Sequence, residues 1–350
     1  MARVAVTGST GHLGPCLIRQ LLADGHEVRA LIRSEKAPPA LDGLDIEVVR
    51  GDICQPSSLR PLVEGVERVY HLAALISIVG PMNGKVRAVN VHGARNVGEA
   101  ALAAGVKRMV HVSSVHAFEL GVGQSGKPRT IDETHERSRE ETCPAYDASK
   151  AAGEVEIRKL VAKGLDAVIV HPSGVIGPFD FGPSRMGKVL LSLGNGRMPA
   201  LLGGGFDWVD VRDVGIGIRA AADQGRTGES YILSGHFASI PDLAHVAATV
   251  TGRRAPKLTM PLALANFFAP AAEAGAKLLR REPLYTEESL MALRSDVRFE
   301  RSKAGVELDY HPRPLLHTLR DVYAWFAAHG SLRSPAETLQ PERYGAVPAA

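Results

Sequence analysis

Three cysteines in 350 residues, Cys16, Cys54 and Cys143, are odd in number and far apart, and none sits in C-x-x-C spacing. A disulfide framework is excluded, and reduced, buried thiols are expected. Neither H-E-x-x-H nor a His/Cys cluster at ligand spacing occurs, so no metal site is expected. An excess of one charge is also missing. Lys plus Arg number 41 against 38 for Asp plus Glu, interspersed along the chain, which provides no basic face for nucleic acid and none for an anionic membrane surface. No apolar run approaches the length that spans a bilayer, so no membrane partner is expected. The first strand pattern begins almost at Met1 and leaves no room for a charged-then-apolar signal segment, so a cytoplasmic location is expected. Internal repeats are absent. The apolar fraction of 45% and charged fraction of 23% are those of a globular protein able to bury one large core or two modest ones.

What is present begins at the N-terminus. Arg3-Val4-Ala5-Val6 reads as a buried strand, and His12 to Ala23 carries Leu13, Leu17, Ile18, Leu21 and Leu22 at helical spacing. Between them stand Thr7-Gly8-Ser9-Thr10-Gly11-His12-Leu13-Gly14. Glycines in a strand-to-helix turn serve positive φ or close approach of backbone to a ligand, and the helix presents free N–H groups to a pyrophosphate. A dinucleotide site is expected there. A second glycine cluster, Gly121 to Lys127, fits both G-x-G-x-x-G and most of G-x-x-x-x-G-K. It is read as a flexible loop, because Pro128 replaces the metal-binding hydroxyl and no apolar helix follows.

The first half alternates strand and helix. Strand patterns at Glu27–Ile32, Ile46–Val49, Arg68–Leu72, Lys107–Val112 and Ala167–His171 are interleaved with helical patterns at Pro56–Val63, Lys85–Ala104 and Ala145–Val161. This predicts an α/β fold with a doubly wound parallel sheet. Beyond Pro172 shorter segments follow, including Tyr231–Leu233 and Ile240–Thr251. The expected division is 1–172 mainly dinucleotide-binding, 173–330 mainly a smaller, interleaved substrate lobe, and 331–350 a poorly ordered tail.

The second strand ends Leu31-Ile32-Arg33-Ser34. At this distance from the glycines an acid would bind the ribose diol of NAD, whereas a basic residue would bind the 2′-phosphate of NADP. Arg33 offers a fork of donors and Ser34 a hydroxyl, so NADP is favoured over NAD. The alternative has Arg33 solvated and Glu35 binding the ribose. Tyr146 and Lys150, four apart, share one face of a helix that starts at Ala145. A phenol is a poor base at neutral pH, but an adjacent ammonium stabilises the phenolate, and such a pair can exchange a proton with a carbinol.

Together, Thr7-Gly8-x-x-Gly11-x-x-Gly14 and Tyr146-x-x-x-Lys150 resemble the short-chain dehydrogenase/reductase superfamily in its extended branch. Further segments of that pattern are Gly51-Asp52-Ile53, His71-Leu72-Ala73-Ala74, Asn90-Val91-His92-Gly93, Val112-Ser113-Ser114 and His171-Pro172-Ser173-Gly174-Val175-Ile176-Gly177-Pro178. They run from residue 3 to about 215, and the helical pattern Leu284–Phe326 resembles the family's C-terminal part. The resemblance implies a Rossmann-type sheet. It assigns Thr7, Gly8, Thr10, Gly11, His12, Leu13 and Gly14 to the cofactor cradle, with Arg33 at the 2′-phosphate. Asp52 and Ile53 would lie at the adenine, Leu72, Ala73 and Ala74 along the cofactor, and His171, Pro172 and Val175 beside the nicotinamide. Tyr146 would act as general acid, and Ser114 would hold the substrate oxygen. Lys150 would bind the nicotinamide ribose and lower the tyrosine pKa, while Asn90 supports the site. It also implies a homodimer.

Within the branch, nucleotide-sugar epimerases and dehydratases commonly carry an Arg where this chain has Phe206, and the sugar dehydratases place acidic residues after the active-site hydroxyl where this chain has Val115-His116-Ala117-Phe118. No Tyr precedes Gly177. These departures resemble the subgroup of dihydroflavonol 4-reductases and 3β-hydroxysteroid dehydrogenases, which implies an apolar or aromatic ketone or aldehyde and its alcohol as substrate. The sugar reading keeps Arg185, Arg197 and Arg212 as anion contacts, and a non-catalytic NADP-sensing protein is the third alternative. Phe206, His116 and Arg185 are candidate substrate contacts, although His116 fits a structural role equally well. His71 and His111 read as satisfied core histidines, and the apolar stretch Leu262–Leu279 as packing in the second lobe.

Overall fold

The computed structural model describes residues 1–36, 38–121, 128–269, 286–294 and 297–332. Its first half alternates: β1 (Arg3–Thr7), α1 (Leu13–Ala23), β2 (Glu27–Ile32), β3 (Ile46–Arg50), α2 (Arg60–Val63), β4 (Arg68–His71), α3 (Lys85–Arg87), α4 (Ala94–Ala103), β5 (Arg108–Val112). Next come β6 (Arg129–Ile131), α5 (Ala145–Val161), β7 (Ala167–Pro172), β8 (Gly174–Ile176), α6 (Arg185–Gly194) and β9 (Leu201–Leu202). They are followed by β10 (Gly205–Asp210), α7 (Val211–Gln224), β11 (Ser230–Leu233), β12 (His236–Ser239), α8 (Ile240–Thr251), β13 (Thr259–Met260) and β14 (Val297–Phe299). Helices also cover Ser302–Leu308 and Leu315–Ala328.

Seven strands form a parallel sheet in the order β11-β7-β5-β4-β1-β2-β3. Its direction of winding reverses between β1 and β4, and in such sheets ligands lie beyond the carboxyl ends of the strands at that reversal. Alternation along β1 separates two cores. Val4 and Val6 pack with Leu17, Ile18 and Leu21 of α1 and Val214 and Ile218 of α7. Ala5 faces the other layer, with Val97 and Ala101 of α4 and Ile157 and Leu160 of α5. Each fully buried aliphatic side chain here contributes about 1.5–3 kcal/mol relative to exposure. The chain beyond residue 172 returns to this sheet, because β11 pairs with β7 and α7 covers one face. A third core gathers Phe206 and Trp208 of β10, Leu190 of α6, Leu243 of α8 and Leu319, Tyr323 and Phe326 of the helix Leu315–Ala328.

Several elements differ from expectation. The helix expected over Lys85–Ala104 is interrupted by a π-helical segment, Ala88–Gly93. Pro56–Val63 splits into a short 3-10 turn and α2, since Pro56 and Pro61 lack backbone donors. The pattern from Leu284 resolves, among described residues, into Glu287–Arg294, β14, Ser302–Leu308 and Leu315–Ala328. All three cysteines are free, but only Cys16 is buried, while Cys54 is exposed and Cys143 half-buried. Cys54 lies in the turn that follows β3, where its N–H donates to Asp52. Gly121 is described with φ +56, whereas 122–127 of the second glycine cluster lie outside the described residues. So do 270–279 of the apolar stretch and 333–350 of the tail. Ala265 and Ala269 of that stretch pack on Leu290. No described helix is long and apolar enough to cross a membrane.

Candidate active site

The turn between β1 and α1 divides its glycines by task. Gly8 has φ +71, and a Cβ on it would stand 2.6 Å from the Ala73 backbone nitrogen, so the turn lies hard against the loop after β4. A Cβ on Gly14 would strike the backbone of Gly8 and Ser9. Gly11 is different: it is exposed, and an added Cβ would meet only the Gly8 carbonyl, at 3.5 Å. The α1 N-terminus has no acidic residue in its first turn and no side-chain cap, so its N–H groups and partial positive charge face outward. A pyrophosphate fits that cradle. Ser9 anchors it, donating to the Leu31 carbonyl at 2.5 Å.

Ser114, Tyr146 and Lys150 converge at the carboxyl ends of β5 and β7. α5 starts after Pro144 and keeps Tyr146, Lys150 and Glu154 on one face. Tyr146 and Ser114 share a side-chain hydrogen bond, and Lys150 Nζ donates to the Val112 carbonyl at 2.9 Å. Burial pushes the Tyr146 pKa up, outweighing the Ser114 bond. The lowering expected from Lys150 is therefore not what this environment yields, and the phenol holds its proton. Burial likewise brings Lys150 down to about 8, against the opposing pull of Glu154.

Glu154 was missed in the sequence, although it repeats the spacing of Tyr146 and Lys150 one turn on. Its carboxylate accepts from Ser113 Oγ at 2.5 Å, faces His171 Nε2 at 2.7 Å and accepts from Arg137 Nε at 3.0 Å. Burial alone would raise its pKa, but His171, Arg137 and Ser113 hold the carboxyl well below the usual carboxylate range. A buried charge so surrounded binds α5 to the ends of β5 and β7. Asn90 is equally committed: Nδ2 donates to the Leu75 carbonyl and Ser149 Oγ, while Oδ1 accepts from Leu75 N–H. It sits in the π-helical segment, whose carbonyl approaches α5 so closely that a Cβ on Gly153 would lie 2.5 Å away.

Residues 4–234 match the family model described as the NAD dependent epimerase/dehydratase family. The chain belongs to this family. Relatives include sterol demethylase protein B of Methylococcus capsulatus, 36% identical over 330 residues, covering 93% of this chain and 99% of that one. A putative dihydroflavonol 4-reductase of Synechocystis is 34% identical over 333 residues, covering 94% and 96%. Among solved structures, gox2253 superposes with a TM-score of 0.82 at 34% identity, covering 95% of this chain and all of the other. This member of the epimerase/dehydratase family is an extended short-chain dehydrogenase/reductase, an NAD(P)-dependent enzyme acting on CH–OH groups.

The remaining expected residues of this family member fall into place unevenly. Thr10 and Gly11 are exposed on the cradle, and Leu13 packs against the α1 core. Thr7 is fully buried, with Oγ1 2.7 Å from His71 Nδ1 and accepting from Ala73 N–H, so it supports the cradle from behind. His12 reaches across to the Gly177 and Pro178 carbonyls and ties the cradle to the end of β8. Leu72 and Ala73 follow β4 beside Gly8, and Ala74 is exposed. Asp52 accepts from Cys54 N–H, and Ile53 is buried beneath Gly93. The His171 side chain is fully buried on Glu154, which leaves only its backbone for a cofactor, while Pro172 ends β7 and Val175 pairs with Val209.

Arg33 is exposed and makes no hydrogen bond or salt bridge among the described residues, and its charge bears on the Cys54 thiol. The Ser34 hydroxyl donates to the Lys36 carbonyl, and the Glu35 carbonyl accepts from Arg50. Phe206 is buried, stacked on His116 at 5.6 Å, and His116 stands edge-on to Tyr146 at 5.7 Å. Arg185 opens α6 after the Ser184 cap, and no described contact joins it to Ser114, Tyr146 or His116. Arg212 is not an available anion contact, because it pairs with Asp210 and Asp321. His71 and His111 are buried and stacked on each other, but not satisfied. Neither nitrogen of His111, nor Nε2 of His71, has a partner among the described residues. Burial and the Lys150 charge push His71 down to about 3 and His111 well below its ordinary value, so both are neutral. Among the described residues no group of three or more His, Cys, Asp and Glu could hold a metal ion.

Proposed function

We propose that this enzyme is an NADP(H)-dependent reductase that interconverts a ketone or aldehyde and its alcohol on a largely apolar substrate. The observation that carries the reading is the protonated Tyr146 hydroxyl bonded to Ser114 with Lys150 buried one turn behind it. Ser114 orients the substrate oxygen, and Tyr146 donates its proton to that oxygen as the carbonyl is reduced. A bound nicotinamide supplies the hydride chemistry. Lys150, charged below about pH 8, holds the nicotinamide ribose, and the Gly11 cradle with the α1 N-terminus holds the pyrophosphate. Arg33 binds the 2′-phosphate, which favours NADP. The Phe206 ring against His116, with Trp208 and Phe299 packed on it, supports an apolar substrate, and the pairing of Arg212 with two aspartates counts against a sugar-nucleotide pyrophosphate. The test is cofactor absorbance with NADPH and NADH against a panel of aliphatic and aromatic ketones and aldehydes, alongside sugar nucleotides. Net NADPH consumption with the carbonyl compounds is expected. Isomerised sugar nucleotide without net consumption, or no turnover, would overturn the reading.

A further inference from the structure

His116 and Asp147 form a polar pair against Phe206 and Tyr146 that a purely apolar substrate would not need. His116 lies in the short turn after β5, fixed on both sides. Its N–H donates to Ser114 Oγ at 3.2 Å, and its carbonyl accepts from Ser138 Oγ at 3.0 Å. The ring is stacked on Phe206 and edge-on to Tyr146. Nδ1 faces Asp147 Oδ1 at 3.1 Å, and Asp147 adjoins Tyr146 on α5, so the pair is built onto the helix that carries the proton donor. Nδ1 stands at ion-pair distance from Asp147 without a hydrogen bond of ordinary geometry, no hydrogen bond joins Nε2 to a described residue, and the side chain keeps 23% of its surface. Burial opposes charge on the ring, but the facing carboxylate outweighs it and raises its pKa. When protonated, the imidazole over Phe206, with Nδ1 turned to Asp147, offers Nε2–H as a second donor next to Tyr146. A substrate that covered this donor with hydrocarbon would leave it unpaired at a cost in binding.

We propose that His116, backed by Asp147, selects the substrate: Nε2–H binds a second, acceptor oxygen carried on a carbon next to the reacting one. The substrate class is thus an apolar body bearing a carbinol or carbonyl with a neighbouring oxygen function, either a carboxylate or a neutral carbonyl. This rests on the reductase reading above.

The test compares kcat/KM for oxidation, with NADP, of three matched alcohols: a plain secondary alcohol, its 2-hydroxy ester and its 2-hydroxy carboxylate. Wild type is expected to favour an oxygenated alcohol over the plain one by about tenfold or more, the effect of one hydrogen bond to a charged group. His116→Ala is expected to bring that ratio near one. Asp147→Asn, which keeps the side chain's shape, is expected to lower the carboxylate ratio more than the ester ratio. Cofactor titration of each variant shows that it is folded. A ratio near one in wild type, or a ratio that survives in His116→Ala, would overturn the proposal. Turnover of none of the three alcohols, or of sugar nucleotides alone, would overturn the reductase reading and the proposal with it.

Discussion

Ser113 donates a 2.5 Å hydrogen bond to Glu154, and the residue after Ser113 is Ser114, which bonds Tyr146. The carboxylate one turn beyond Lys150 thereby holds the residue that precedes Ser114 and acts, through its charge, on the lysine.

Glu154→Gln should therefore move a titration as well as cost stability. In wild type, NADPH affinity is expected to weaken as pH rises through about 8, where Lys150 loses its charge. Because the Lys150 pKa lies below that of the unfolded chain, the unfolded state binds more protons between about 8 and the ordinary lysine value of 10.5. Stability should consequently rise with pH across that window. Glu154 raises the Lys150 pKa, so its neutral replacement should shift the loss of affinity to lower pH. Titration of NADPH binding against pH reads the shift. A fall in melting temperature with an unmoved profile would reduce Glu154 to packing.

Arg33→Ala should weaken NADPH and leave NADH nearly unchanged. Loss of a charge-assisted bond to the 2′-phosphate corresponds to about tenfold or more in affinity. The ratio of KM values for the two cofactors checks it, and an unaltered ratio would return Arg33 to solvent and the ribose to Glu35.

Gly8 and Gly11 should fail differently. Gly8→Ala places a Cβ on Ala73 backbone at φ +71, a strain on the order of 1–3 kcal/mol or more, seen as a lower melting temperature. Gly11→Ala makes only an ordinary contact with the Gly8 carbonyl, so its effect should appear in NADPH affinity with the melting temperature little changed. The reverse pattern would remove Gly11 from the cradle.

Much of this was legible because local signals agreed with the fold. Glu27–Ile32 and Ala145–Val161 appear with the bounds their periodicity implied, and Ser239 with Asp242 caps α8 reciprocally at the start of Ile240–Thr251. What stayed hidden depends on contacts distant in sequence. Glu154 reads as an ordinary helical acid until Ser113, His171 and Arg137 close on it from three other elements. Arg212 reads as an anion ligand until Asp321, over a hundred residues on, takes it up. The π-helical turn at Asn90 leaves no mark in composition, since it answers to packing against Ile53 and Gly153. Lys150 beside Tyr146 suggested a lowered phenol pKa, yet burial, which spacing cannot report, drives it the other way.

The proton of Tyr146 is the centre of the mechanism, and removing it is the most direct measurement. Tyr146→Phe deletes one hydroxyl and keeps the ring against His116. Carbonyl reduction should fall by about 100- to 10,000-fold, the contribution of a positioned general acid, with NADPH affinity by fluorescence titration nearly unchanged. Turnover close to wild type in that variant would contradict the assignment of Tyr146 as the proton donor.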